Sequence, residues 1–154
     1  GGPVPGHTWD LESYADAFRA AADHGLGTTV HAGEGRPPTE IRTAIEVLGA
    51  RRIGHGTTLL ADPSVLELVL ARAVTIEACV TSNWHVGAIA RPEDHPLPRW
   101  LALGVRACIN TDNTLFSRVT AGAELARVRA LPGMTEALVA AAIGHGHAGA
   151  FVRG

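Results

Sequence analysis

Four short apolar runs, each followed by a cluster of polar residues and then by helical spacing, constrain this chain more than any other feature. The runs are residues 27–31 (Gly-Thr-Thr-Val-His), Arg52 to His55, Val74 to Val80 and Val105 to Asn110. Between them the apolar positions recur as on amphipathic helices. Thr8 caps a first helix running to about His24, with Asp10 and Glu12 near its positive end and Gly25 as its stop. Ile41, Ala44, Ile45 and Leu48 mark a second, closed by Gly49. Asp62-Pro63 opens a third with Val65, Leu66, Val69 and Leu70 as its buried face. A short helix from Leu97 to Leu103 stops at Gly104, and two more, Ala121 to Ala130 and Thr135 to about Ile143, close the chain. Every connection between strands is too long for a hairpin and long enough for a crossover. The reading is therefore α/β: one helix, then four βα units on a parallel sheet, with residues 1–154 as a single domain.

The composition agrees with a folded domain and removes several classes of function. The 154 residues are 46 % apolar and 18 % charged, which is enough to bury a core. A net charge of -2 with interleaved signs gives no footprint for nucleic acid or for an anionic membrane. No run approaches the ~20 apolar residues of a membrane span, and no signal peptide is apparent, so a cytoplasmic protein is expected. Cys79 and Cys108 lack a Cys-x-x-Cys spacing and read as buried free thiols. All thirteen basic residues are arginine, a bias without mechanistic content. The chain starts Gly1-Gly2-Pro3 and its single methionine is Met134, which suggests the later part of something longer.

The polar residues cluster where a parallel sheet keeps its chemistry. The four runs end in His31-Ala32-Gly33-Glu34, Gly54-His55-Gly56-Thr57-Thr58, Thr81-Ser82-Asn83 and Asn110-Thr111-Asp112-Asn113. Loops at the carboxyl ends of parallel strands converge on a crevice or barrel mouth. A neutral imidazole (His31) and a carboxylate (Asp112) suit zinc, which accepts nitrogen and oxygen donors. Glu34, three residues after His31, is close enough to act on a substrate at such an ion, and His55 on the next strand can handle the proton of a metal-bound water. Gly33, Gly54 and Gly56 let backbone approach a ligand closely. Taken singly, each has a plain alternative: a His or Asp after a strand usually caps a loop, Gly-His-Gly is a tight turn, and Thr81-Ser82-Asn83 is a helix cap. Their joint placement at four successive strand ends is what argues for metal-assisted hydrolysis.

With those residues in view, the chain resembles the second half of an adenosine deaminase of the amidohydrolase type. The resemblance rests on Thr29-Val30-His31-Ala32-Gly33-Glu34, Arg52-Ile53-Gly54-His55-Gly56, Glu77-Ala78-Cys79-Val80-Thr81-Ser82-Asn83 and Ile109-Asn110-Thr111-Asp112-Asn113, in order, and weakens after about Leu131. It implies the second half of a TIM-type (β/α)8 barrel that hydrolyses adenosine or deoxyadenosine at one zinc. By resemblance, His31 is a zinc ligand and Asp112 a ligand that also touches the attacking water. Glu34 protonates the purine ring nitrogen beside the amino-bearing carbon, and His55 orients the water and stabilises its charge. Asn113 stands where many members carry aspartate; its amide can donate to a purine nitrogen without being protonated. Gly2 matches a glycine whose backbone N–H meets the purine. The His-x-Glu and Pro-Cys-x-x-Cys pattern of cytidine and tRNA deaminases is absent.

The family takes two more zinc ligands from a His-x-His pair on its first barrel strand. The sole such pair here, His145-Gly146-His147, is expected just past the last helix, at a glycine-flanked helix end, in the wrong place for that role. Four βα units are half of a barrel that takes about 250 residues. Alone they are expected to leave two strand edges unpaired and an apolar inner face exposed, favouring self-association or pairing with an N-terminal half. Two alternatives stay open: an amidohydrolase for another aminopurine or modified nucleoside, and a non-catalytic half-barrel that self-associates.

Overall fold

A computed structural model describes residues 10–151; the Thr8 cap and Gly2 lie outside them. After a 3-10 turn at Glu12–Tyr14, helix α1 (Ala15–Asp23) leads to strand β1 (Thr29–Ala32). There follow α2 (Thr39–Glu46), β2 (Arg52–His55), α3 (Pro63–Ala71), β3 (Thr75–Ala78), α4 (Val80–His85), α5 (Leu97–Ala102) and β4 (Arg106–Ile109). Helices α6 (Thr114–Ser117), α7 (Ala121–Arg129) and α8 (Glu136–Ala148) complete the order. The four strands form one parallel sheet in the order β1-β2-β3-β4, so β1 and β4 are its edges among the described residues.

Side-chain caps mark the starts of α3, α7 and α8. The Asp62 side chain accepts from Ser64 N at 2.9 Å, ahead of proline at the first helical position of α3. Thr120 and Thr135 cap α7 and α8 through Ala123 N and Leu138 N. The core lies between the sheet and its helices, where Ile41, Ile53, Leu59, Ile76, Leu97 and Trp100 are fully buried. Among the described residues no helix is long and apolar enough to cross a membrane. Both cysteines are free and buried, as expected.

Several expectations need correction. The third strand stops at Ala78, and Val80 starts α4, so Thr81-Ser82-Asn83 are helical residues and not a strand end. The buried Glu124 carboxylate on α7 accepts from Thr81 N at 3.0 Å and from the Thr81 hydroxyl, which satisfies a donor of the first turn of α4. The last helix runs through His145-Gly146-His147 to Ala148 rather than ending before it. Gly146 lets α8 lie close on β4, since a Cβ there would meet Cys108 Cβ at 3.3 Å. Leu70 is 40 % exposed, because the stripe of α3 that meets the core is Val65 and Val69. The inner face of the sheet is polar, not apolar: Arg52 pairs with Glu77, and the Thr29 hydroxyl donates to Glu77 Oε2 at 3.0 Å.

Candidate active site

His31 projects from the inner face of β1, because Val30 and Ala32 beside it are turned into the buried layer. Its ring lies against β2 at Gly54, where a Cβ would come within 2.7 Å of His31 Cδ2; only glycine leaves that space. The register sets His55 opposite Ala32, a helix-facing position. Its φ of 71° ends the regular alternation, and its ring meets His31 edge-on, with centroids 4.4 Å apart and planes at 86°. Asp112, beyond β4, has a φ of 56°. Four described non-glycine residues have positive φ, and two of them are His55 and Asp112. Such backbone strain, about 1–3 kcal/mol per residue, is concentrated at functional sites.

Glu34 follows β1 and is 3 % exposed. Its Oε1 lies 3.4 Å from Asn83 Nδ2 and 3.4 Å from His55 Nδ1, while its buried Oε2 has no hydrogen-bond partner among the described residues. Ligand atoms of His31, Glu34 and His55 all lie within 4.8 Å of one another. Asp112, expected as a ligand, is outside that group; its Oδ2 accepts from the Ser82 hydroxyl at 2.6 Å. It shares a cavity of about 280 Å³ with His31, His55, Glu77 and Asn110. Asn113 caps α6, its Oδ1 accepting from Leu115 N and Phe116 N at 3.0 Å each.

Electrostatics set the resting charge of these groups. Burial pushes His55 down to about 4, and the nearby His31 acts in the same direction against the charge of Asp112. Burial lowers His31 as well, opposed by Asp112 and Glu77. Both rings are therefore neutral near pH 7, with lone pairs to offer. Burial raises Glu34, the Asp112 charge adds to the rise, and the Asn83 hydrogen bond opposes it. The residues fit a divalent ion of zinc's type: neutral imidazole and carboxylate donors face one cavity, beside an unpaired buried carboxyl oxygen. Such a set can hold a metal and deliver a proton within a few ångströms of it.

The structure brings together His31, Glu34 and His55, sets Asp112 on the cavity it shares with the two histidines, and gives places beside them to Asn83, which the sequence offered only within a strand-end cluster, and to His95 and Glu124. Asn83, fully buried, stands at the centre between Glu34 and His55. His95 touches Asn83 from behind, and Glu124 anchors the helix that carries Asn83. The available signal for His95 is a histidine two residues ahead of the first residue of a helix, where its ring accepts from Leu97 N. Glu124 gave no such signal, being one acid in an ordinary amphipathic helix.

A family model for adenosine deaminase matches residues 3–153. Adenosine deaminase of Serratia proteamaculans is 43 % identical over 100 residues, covering 65 % of this chain and 30 % of that protein. That of Shewanella loihica is 35 % identical over 127 residues, covering 82 % and 38 %. The chain thus spans about a third of the length of these relatives. Among solved structures, adenine deaminase from Arthrobacter aurescens superposes with a TM-score of 0.87 at 25 % identity, over 96 % of this chain and 46 % of that one. An amidohydrolase from Burkholderia ambifaria with bound zinc gives 0.85 at 24 %, over 98 % and 43 %. The N6-methyl-AMP deaminase of Arabidopsis thaliana gives 0.83 at 20 %, over 97 % and 43 %. The parallel sheet is thus that of a partial amidohydrolase barrel, and by its residues 3–153 the chain belongs to the adenosine deaminase family.

Proposed function

We propose that this chain supplies the C-terminal half of a zinc-dependent purine deaminase that converts adenosine or deoxyadenosine to inosine or deoxyinosine and ammonia. The observation that carries the reading is the buried, unpaired Oε2 of Glu34 beside two neutral imidazoles. His31 and Asp112 are the zinc ligands this half contributes, and an upstream segment with a His-x-His pair contributes two more. When bound, zinc lowers the pKa of water so that it can attack at neutral pH. Glu34 gives its proton to the purine ring nitrogen beside the amino-bearing carbon, so that the ring accepts the attacking water. His55 orients that water and stabilises its developing charge. As the carbon–nitrogen bond breaks, one proton of the water passes to the amino nitrogen, which leaves as ammonia, and the other returns Glu34 to its acid form.

Asn113 spends its Oδ1 on the cap of α6, which leaves its Nδ2–H to donate to a purine nitrogen. Gly2, outside the described residues, would add a backbone donor. The edges β1 and β4 are where strands of the upstream half pair. Zinc is supported by the zinc-bound Burkholderia structure and a purine substrate by the Arabidopsis enzyme with bound IMP or GMP. A second reading, deamination of another aminopurine or an N6-modified nucleotide, is favoured by asparagine at position 113 and by adenine and N6-methyl-AMP deaminases among the similar structures.

The test is adenosine-to-inosine conversion, followed by ultraviolet absorbance, in the chain co-expressed with an upstream half carrying His-x-His. Turnover is expected only in that pairing. Glu34→Gln should abolish it while zinc content stays, and His31→Ala should lose zinc. Undiminished rates in Glu34→Gln overturn the acid role. Silence on adenosine with turnover of N6-methylated nucleotides selects the second reading.

A further inference from the structure

Behind His55 runs a line of hydrogen bonds that ends on the backbone. Leu97 N–H donates to His95 Nδ1 at 3.2 Å. His95 Nε2 lies 3.2 Å from Asn83 Oδ1, Asn83 Nδ2 lies 2.9 Å from His55 Nδ1, and His55 Nε2 lies 3.2 Å from His31 Nδ1. His95 is 3 % exposed, Asn83 0 % and His55 1 %. His95 is braced edge-on by the buried Trp100 at 5.4 Å. His95 and the Leu97 N–H, at the far end of this line, have no assigned part in binding metal or substrate.

The direction of the line follows from its fixed end. A backbone N–H can only donate, so His95 Nδ1 must be the unprotonated nitrogen and the single proton of this buried, neutral ring sits on Nε2. That proton points at Asn83, whose amide must therefore turn its oxygen to His95 and its NH2 to His55. His55 Nδ1 then accepts, and its own proton sits on Nε2. The opposite arrangement would put an amide hydrogen against His95 Nε2, asking one imidazole to accept at both nitrogens, which a neutral ring cannot do. It would also turn the Asn83 oxygen toward Glu34 Oε1, now 3.4 Å from Nδ2.

Resting on the deaminase reading above, we infer that His95 and Asn83 are positioning residues: they hold His55 in the Nε2–H tautomer, with Leu97 N–H as the donor that fixes the polarity of the whole relay. The proton of His55 is thereby aimed at His31 and the metal side of the cavity, and its Nδ1 is kept from competing for the proton of Glu34. In metalloenzymes, groups that orient an active residue from behind typically change activity about 10- to 100-fold when removed.

The experiment is two-bond proton–nitrogen NMR on the 154-residue chain labelled with 15N-histidine, which distinguishes the two nitrogens of each neutral ring. His95 and His55 are both expected as Nε2–H. His95→Gln keeps a donor at the Nε2 position and should preserve the His55 tautomer; His95→Leu should give His55 as Nδ1–H or as a mixture. In the completed enzyme, His95→Leu should lower kcat about 10- to 100-fold with KM little changed, and His95→Gln should recover most of it. Finding His55 as Nδ1–H in the unmutated chain overturns the proposal even if His95→Leu fails to fold. So does an unaltered Nε2–H in folded His95→Leu. The tautomer is read without turnover: the expected tautomers in the chain, with no purine turnover by the completed enzyme, would sink the deaminase reading and leave the relay intact.

Discussion

Val30, Ile53, Ile76 and Ala107 lie side by side across the four strands on the face turned to the helices, each under a tenth exposed. On the opposite face the neighbouring rows are Thr29, Arg52, Thr75, Arg106 and then His31, Gly54, Glu77, Cys108. The helix face is held by apolar burial, which has no preferred direction. The inner face is held by directed contacts, such as those of Glu77 with Arg52 and Thr29, and at the carboxyl ends of the strands these grade into the site. One face supplies stability and is indifferent to small angular errors. The other fixes where a few polar atoms stand.

The largest expected effect is on the helix face. Ile76→Ala should lower stability by roughly 2–5 kcal/mol, read as a shift of the urea midpoint, because it empties a fully buried position. Glu124→Leu should cost roughly 2–3 kcal/mol by stranding Thr81 N–H and its hydroxyl, and Glu124→Gln, which keeps an acceptor, should cost less. A Glu124→Leu chain as stable as the parent would mean that α4 needs no anchor.

Acid should then separate the two faces without mutation. Burial, with His55 acting in the same direction, pushes His95 down to about 3. An unfolded histidine titrates near 6.5, so as pH falls below that value the unfolded chain takes up a proton that the folded chain refuses. Stability is level above pH 6.5 and is lost progressively as pH falls toward 3, at up to about 1.4 kcal/mol per pH unit from this ring. Between pH 7 and 5 that amounts to about 2 kcal/mol, and His95→Gln should remove it. Urea midpoints at the two pH values decide; an equal slope in parent and His95→Gln would contradict the buried neutral ring. The smallest effect belongs to Thr29→Val, which removes one exposed hydrogen bond to Glu77 and should cost roughly 0.5–1.5 kcal/mol. A larger loss would show that the inner face also carries stability.

What the sequence made legible was what neighbouring residues decide. Strand β2 appears with both expected ends because glycines and turn residues bracket Arg52–His55. His31, Glu34, His55 and Asp112 stand out as candidates because they follow strands in a repeated unit. The sequence pattern carries the third strand on to Val80, which is β-branched, whereas the acid that anchors the first turn of α4 is 43 residues away from Thr81. The last helix was read too short since two glycines mimic a stop, when Gly146 serves close packing on β4. For His95 the local pattern offers only its place ahead of α5, and its contact with Asn83, 12 residues away, is encoded by no local pattern.

The anchor from Glu124 also sets a lower bound on how little chain can hold this arrangement. Every group assigned to the chemistry in the described residues lies at or before Asn113, so a cut between there and α7 would keep all of them. It would also remove the acceptor that starts α4, and Ser82 and Asn83 would lose the frame that aims them at Asp112 and His55. The smallest working unit is therefore longer than the motifs by which the site is recognised.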